Sequence, residues 1–147
     1  MEVFTSSVSL LPYTASSVGV ARRRLVGDLD AAGAREVTIC DAGLVLSELI
    51  SNALRHGAPL PEHTFKVSWR LGSESVEIAV SDGGGPTVPT VAEPEKMEAG
   101  GRGLGIVERL SLRWGVCHDD GETTVWAELP VWYADSGRLV TASAWDA

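Results

Sequence analysis

The sequence predicts an α+β domain: a two-layer sandwich with a mixed, mostly antiparallel sheet and helices on one face. Three observations lead there. The elements read strand, helix, helix, two strands, a long irregular stretch, helix, two strands. Helices are therefore not interleaved one for one with strands, as a doubly wound parallel sheet would need. Four of the strands come as pairs joined by short turns, the signature of hairpins. The chain has 147 residues, 44% of them hydrophobic, which is the size and composition of one domain with its own core.

The elements follow in order. "EVFTSSVSL" alternates and is rich in β-branched residues, so it reads as an opening strand. "ASSVGVARRRLVGDLDAAG" reads as a helix. Ser16 or Ser17 caps its start, Val18, Ala21, Leu25 and Leu29 recur at helical spacing, and Gly33 stops it. A second helix runs from about Thr38 to His56, with Ile39, Ala42, Leu46, Leu49, Ile50 and Ala53 on one apolar face. Gly57 is placed to close it in a left-handed cap. "TFKVSWRL" and "SVEIAVSD" are period-two strands around Gly72-Ser73. Residues 83–102, rich in Gly, Pro and Glu, have the length and composition of a lid. "GLGIVERLSLRWG" opens a third helix directly after glycines, and "WGVCH" with "TTVWAELPVW" makes a closing hairpin around Asp119-Asp120-Gly121. Residues 1–133 form the single domain in this reading, and 134–147 a weakly ordered tail.

Composition narrows the function classes. A net charge of −8 argues against a nucleic-acid partner, which needs a basic surface. It leaves a nucleotide open as a ligand, because backbone amides and one metal ion can hold phosphates. No apolar run approaches the ~20 residues that span a bilayer, and the N-terminus lacks the basic start and cleavage pattern of a signal peptide. Cys40 and Cys117 match no metal spacing and read as buried thiols in a reducing cytoplasm. His56, His63 and His118 are too scattered for a zinc site.

Three stretches carry chemistry. In "ELISNALRHG" Glu48 and Asn52 lie one turn apart and share a polar stripe with Asp41 and Arg55. By periodicity this is an ordinary exposed face. If it faces a pocket, Asn52 offers an amide oxygen to a hard cation such as Mg²⁺, and Glu48 can orient or deprotonate an attacking hydroxyl. In "SVEIAVSDGGG" Asp82 continues the parity of Val76, Ile78 and Val80. Either the strand has ended there in a turn, or Asp82 is a buried acceptor for a flat donor such as an exocyclic amine, with glycines letting the backbone lie against a ring. In "GGRGLGIVERL" Gly101, Gly103 and Gly105 open a helix whose exposed amides and positive end suit an anion. Ile106 breaks the dinucleotide fingerprint, and no Gly-Lys-Ser or Gly-Lys-Thr of a P-loop occurs.

Together, "LSELISNALRHG", "VSDGGGP", "GRGLGIVERLSLRWGV" and "TTVWAELP" resemble the N, G1, G2 and final boxes of the GHKL ATPase/kinase superfamily, the Bergerat ATP-binding fold. The match is closest to the small proteins related to anti-sigma-factor serine/threonine kinases and spans roughly residues 15 to 130. The resemblance implies that Asn52 coordinates the Mg²⁺ bridging the ATP phosphates and that Glu48 is the catalytic base. Arg55 and His56 then lie near phosphate and ribose. Asp82 bonds the adenine amine, and Gly84 gives the ring room. Gly101, Gly103, Leu104 and Gly105 supply amides to the phosphates, Thr124 supports the adenine side, and residues 83–102 are the ATP lid. Two positions depart from the family: Pro86 stands at the second glycine of the G1 pattern, and Thr123 where a Lys often precedes the Thr.

The resemblance implies an ATP- and Mg²⁺-dependent serine/threonine kinase that phosphorylates a small antagonist protein in a partner-switching system, with a sigma factor as the competing partner. Relatives of this kind often form homodimers. The alternative is a non-catalytic ATP-binding interaction module, in which nucleotide orders the lid and so controls a protein partner. Of the more distant relatives, a histidine-kinase core would follow a helical segment bearing a phospho-acceptor His, whereas this sequence opens on a strand.

Overall fold

The computed structural model describes residues 2–84 and 101–134, with the side chains of 101–103 excepted. Five strands form one sheet in the order β1-β2-β3-β5-β4: β1 Val3–Pro12, β2 Thr64–Gly72, β3 Ser75–Asp82, β4 Arg113–Asp119 and β5 Glu122–Pro130. All four pairings are antiparallel. Three helices, α1 Ser16–Ala31, α2 Glu36–His56 and α3 Gly101–Leu110, complete the α+β sandwich that the element order predicts.

The period-two strands bury one face. Phe65, Val67, Trp69 and Leu71 of β2, Val76, Ile78 and Val80 of β3, and Val125, Ala127 and Leu129 of β5 are buried against Leu25 and Leu29 of α1, Leu46, Leu49 and Ile50 of α2, and Leu104 and Val107 of α3. Removing this much apolar surface from water is the main driving force of the fold. The indole N–H of Trp69 donates to Asp28 Oδ2 at 2.9 Å, which ties α1 to the sheet. The β4–β5 hairpin turns through Asp120 and Gly121, both at positive φ (50° and 80°), as a two-residue turn matching strand twist requires.

Several local expectations are corrected. α1 has no side-chain cap: Ala15 occupies the N-cap, and Ser17 Oγ instead donates to Pro12 O at 2.7 Å. Gly57 is extended (φ −95°, ψ −160°), not left-handed; α2 ends there because the chain must turn into a close contact described below. The third helix stops at Leu110, and Arg113 already belongs to β4, whose Trp114 and Val116 alternate with the strand rather than the helix period. Cys40 and Cys117 are exposed, since each falls outside the core-facing set of its element. α2 is long and apolar enough, by length and composition, to cross a bilayer, although Asp41 and Glu48 interrupt any apolar run in it; more than half of its apolar window is buried within the domain. Tyr133, the last residue of the expected domain, bridges to Ala34, and its hydroxyl donates to Gly72 O. The rest of the tail, 135–147, and lid residues 85–100, including Pro86, lie outside the described residues.

Candidate functional site

α2 supplies the first wall. Its apolar stripe faces the sheet and α3 packs beside it; Glu48 and Asn52 stand one turn apart on this helix. Glu48 is half-buried and makes no hydrogen bond or ion pair among the described residues. Asn52 is only 6% exposed, and its amide likewise has no hydrogen-bond partner there. Arg55 and His56, in the last turn, are exposed.

Asp82 supplies the second wall, from the end of β3. Its carboxylate is 5% exposed, and among the described residues no cation pairs with it. It accepts the Gly84 N–H at 2.6 Å and the Ala58 N–H. Burial raises its pKa above the usual carboxylate value, and these two amides only partly offset that. The carboxylate packs directly on Gly57, where any Cβ would overlap it and would also come within 2.8 Å of Ala53 O. Glycine is therefore required at 57 by close approach rather than by φ. Gly83 N–H donates to Ala58 O at 2.7 Å, locking the end of β3 to the end of α2. Tyr13 closes the far side: its hydroxyl donates to Ala53 O at 2.7 Å, and its pKa is raised by burial and then by the Asp82 charge.

The third part is α3. Gly101 and Gly103 stand in its first turn, Leu104 is buried in the core, and Gly105 is half-buried. The helix start thus offers backbone amides, anchored through Leu104 against α2.

The structure distributes the sequence candidates unevenly. Asp82 meets the end of α2, and Gly84, at φ +86°, turns the chain over it. Thr124 lies elsewhere: it pairs with Ser81, hydroxyl to hydroxyl at 2.6 Å, on the sheet face away from the helices. Thr123 pairs with Asp82 in register, is 7% exposed and lies on the helix face. In the sequence Thr123 stands out only as a departure from the family pattern, and Tyr13 does not stand out at all. Thr123 shares the parity of Val125, Ala127 and Leu129, so period two could have found it; nothing local to Tyr13 could, because its contact spans 40 residues.

The arrangement can accept hydrogen bonds at a buried carboxylate, coordinate a hard cation at one amide, and place anions at a helix start. Among the described residues no group of three or more His, Cys, Asp or Glu could hold a metal by itself. A Mg²⁺ ion commonly takes one or two protein ligands and completes its shell with phosphate oxygens and water, so the Asn52 amide oxygen alone would suffice as its protein ligand.

Comparison with known proteins agrees with this geometry. The family model described as histidine kinase-like ATPase domain matches residues 11–129. Among solved structures, the RsbU and RsbW domains of Rv1364c from Mycobacterium tuberculosis align with a TM-score of 0.66 at 22% identity, over 87% of this chain and 33% of that one. This chain therefore spans about a third of that neighbour's length. The histidine kinase domain of a blue-light activated kinase from Erythrobacter litoralis EL346 aligns with a TM-score of 0.46 at 20% identity, over 84% of this chain and 64% of that one. A comparison with curated proteins gives no match. With four-fifths of its length inside the family model, the chain belongs to the histidine kinase-like ATPase domain family.

Proposed function

We propose that this chain is an ATP- and Mg²⁺-dependent serine/threonine kinase of the anti-sigma-factor type, which phosphorylates a small antagonist protein in the cytoplasm as part of partner switching. One observation carries the reading: Asn52, only 6% exposed, stands one turn after the half-buried Glu48, whose carboxylate pairs with no cation among the described residues. A module that only binds nucleotide has no need of a free carboxylate next to its metal ligand. The likeness to a chain carrying RsbU and RsbW domains supports a regulatory protein as partner.

In this reading Asp82 accepts the adenine amine, and Gly84 keeps the base close to the backbone. Asn52 would hold Mg²⁺, which would supply positive charge to offset that of the phosphates. The first-turn amides of Gly101, Gly103, Leu104 and Gly105 orient the phosphates, with Arg55 and His56 at the exposed rim. Glu48 takes the proton of an acceptor serine or threonine hydroxyl as its oxygen bonds the γ-phosphorus and ADP leaves. Positioning and charge stabilisation carry most of the rate in such transfers.

Glu48→Ala is expected to lower the transfer rate by about 10²–10⁴-fold, the usual contribution of a general base, with ATP affinity nearly intact. Labelled ATP with candidate antagonist proteins measures the first, calorimetry the second. An equal collapse of both would remove the base assignment. Clear ATP binding by the unaltered chain without transfer to any candidate would favour the binding module.

A further inference from the structure

Three polar side chains cross the helix face of the sheet in one row. Asp82 of β3 pairs in register with Thr123 of β5, and Thr123 with His118 of β4. His118 Nδ1 lies 3.0 Å from Thr123 Oγ1, and among the described residues this is the only hydrogen bond of that hydroxyl's side chain. The Thr123 hydroxyl and the Asp82 carboxylate flank the same glycine. A Cβ on Gly84 would stand 3.3 Å from Thr123 Oγ1, while the Gly84 N–H bonds Asp82 Oδ1.

A threonine hydroxyl has one hydrogen to give and two lone pairs. If His118 Nδ1 accepts, that hydrogen is used up, and the row presents acceptors only. If Nδ1 carries the proton and donates, the hydroxyl hydrogen is free. The neighbouring field decides between these. Asp82 is buried and among the described residues has no cation against it, so the O–H dipole is favoured with its hydrogen on the carboxylate side and its lone pair toward β4. We infer that His118 is a positioning residue for base recognition: its Nδ1–H donates to Thr123 and so turns the Thr123 hydroxyl into a donor beside the Asp82 acceptor. The inference rests on the adenine-nucleotide reading given above.

An acceptor beside a donor is the complement of one base edge. Adenine places an amine, which donates, next to ring N1, which accepts; guanine places an acceptor next to an N–H. His118, itself exposed, thereby acts on which base is taken.

Two measurements test this. Nitrogen NMR of the His118 ring in the nucleotide-free chain, at about pH 8.5 where histidine is ordinarily neutral, is expected to show the proton on Nδ1; a proton on Nε2 alone overturns the inference. Calorimetry then compares ATP with its 1-deaza analogue, which keeps the amine but lacks the N1 acceptor. The unaltered chain is expected to prefer ATP by roughly 3–10-fold, the value of one net hydrogen bond, and His118→Ala to lose that preference while still binding both. A preference unchanged in His118→Ala overturns it. Failure of the unaltered chain to bind either nucleotide would instead remove the adenine reading, and the ring-proton result would stand on its own.

Discussion

Asp82 shows how one residue is held at a cost for the sake of a site. A carboxylate with its pKa raised by burial binds more protons in the folded chain than in the unfolded one, between the ordinary 3.8 and the raised value. Stability therefore falls as pH rises through that window and stays lower above it. Glu128 has the opposite sign: hydrogen bonds from Arg113 and Ser75 hold its pKa low, so its contribution is present above 4.5 and is lost as pH falls toward the depressed value. Urea melts of the nucleotide-free chain and of Asp82→Asn, taken from pH 3 to 7, separate the two. The difference between unaltered chain and variant should move against the unaltered chain as pH rises from about 3.8; a flat difference would mean that Asp82 is not strained by burial.

At the scale of elements, the site depends on the junction of the end of α2 with the end of β3. The Gly83 N–H to Ala58 O bond and the Ala58 and Gly84 amides on Asp82 staple the two together, and Gly57 leaves no room for a side chain. Gly57→Ala is accordingly expected to destabilise by about 1–3 kcal/mol, the usual range for overpacking. Its φ of −95° suits alanine, so the loss would be steric and not conformational. Chemical denaturation measures it, and a neutral or stabilised variant would show that the carboxylate can move away freely. Nucleotide affinity should fall with it, because the displaced group is the proposed amine acceptor.

Across the whole molecule, the helices cover one face of the sheet and leave the other to solvent. Val8 (70% exposed) and Leu10 (63%) lie on that open face of β1, and Arg113 there sits 6.0 Å over the Trp126 ring and pairs with Glu128 at 2.7 Å. The proposed site sits at one rim of the two layers, where α2, α3, β3 and β5 converge, so a ligand would bind several elements at once. MgATP is then expected to stabilise the fold by about 2.7 kcal/mol when present at a hundredfold excess over its dissociation constant. Thermal unfolding with MgATP, with ATP plus chelator, and in Asn52→Ala measures this. Asn52→Ala should lose the part that depends on the ion; a melting temperature indifferent to magnesium in both proteins would remove Asn52 from the metal.

Much of this was legible along the chain. Period-two and helical patterns placed the strands and the first two helices, because burial acts on every side chain of an element at once and leaves its period in the sequence. Asp82 was readable as a buried acceptor because it extends the parity of Val76, Ile78 and Val80. The polar stripe of α2 was readable only as ambiguous: periodicity says that Glu48 and Asn52 are off the sheet-facing side, and cannot say whether α3 or water meets them. The tertiary structure decided that Asn52 is buried and Arg55 is not. It also exchanged Thr124 for Thr123 beside Asp82, since strand register is a property of two segments rather than one. It brought Gly57, Tyr13 and His118 around the site through contacts that no local pattern records. Patterns within an element are determined by the sequence alone; which element lies opposite is determined by packing, and the site is made of such oppositions.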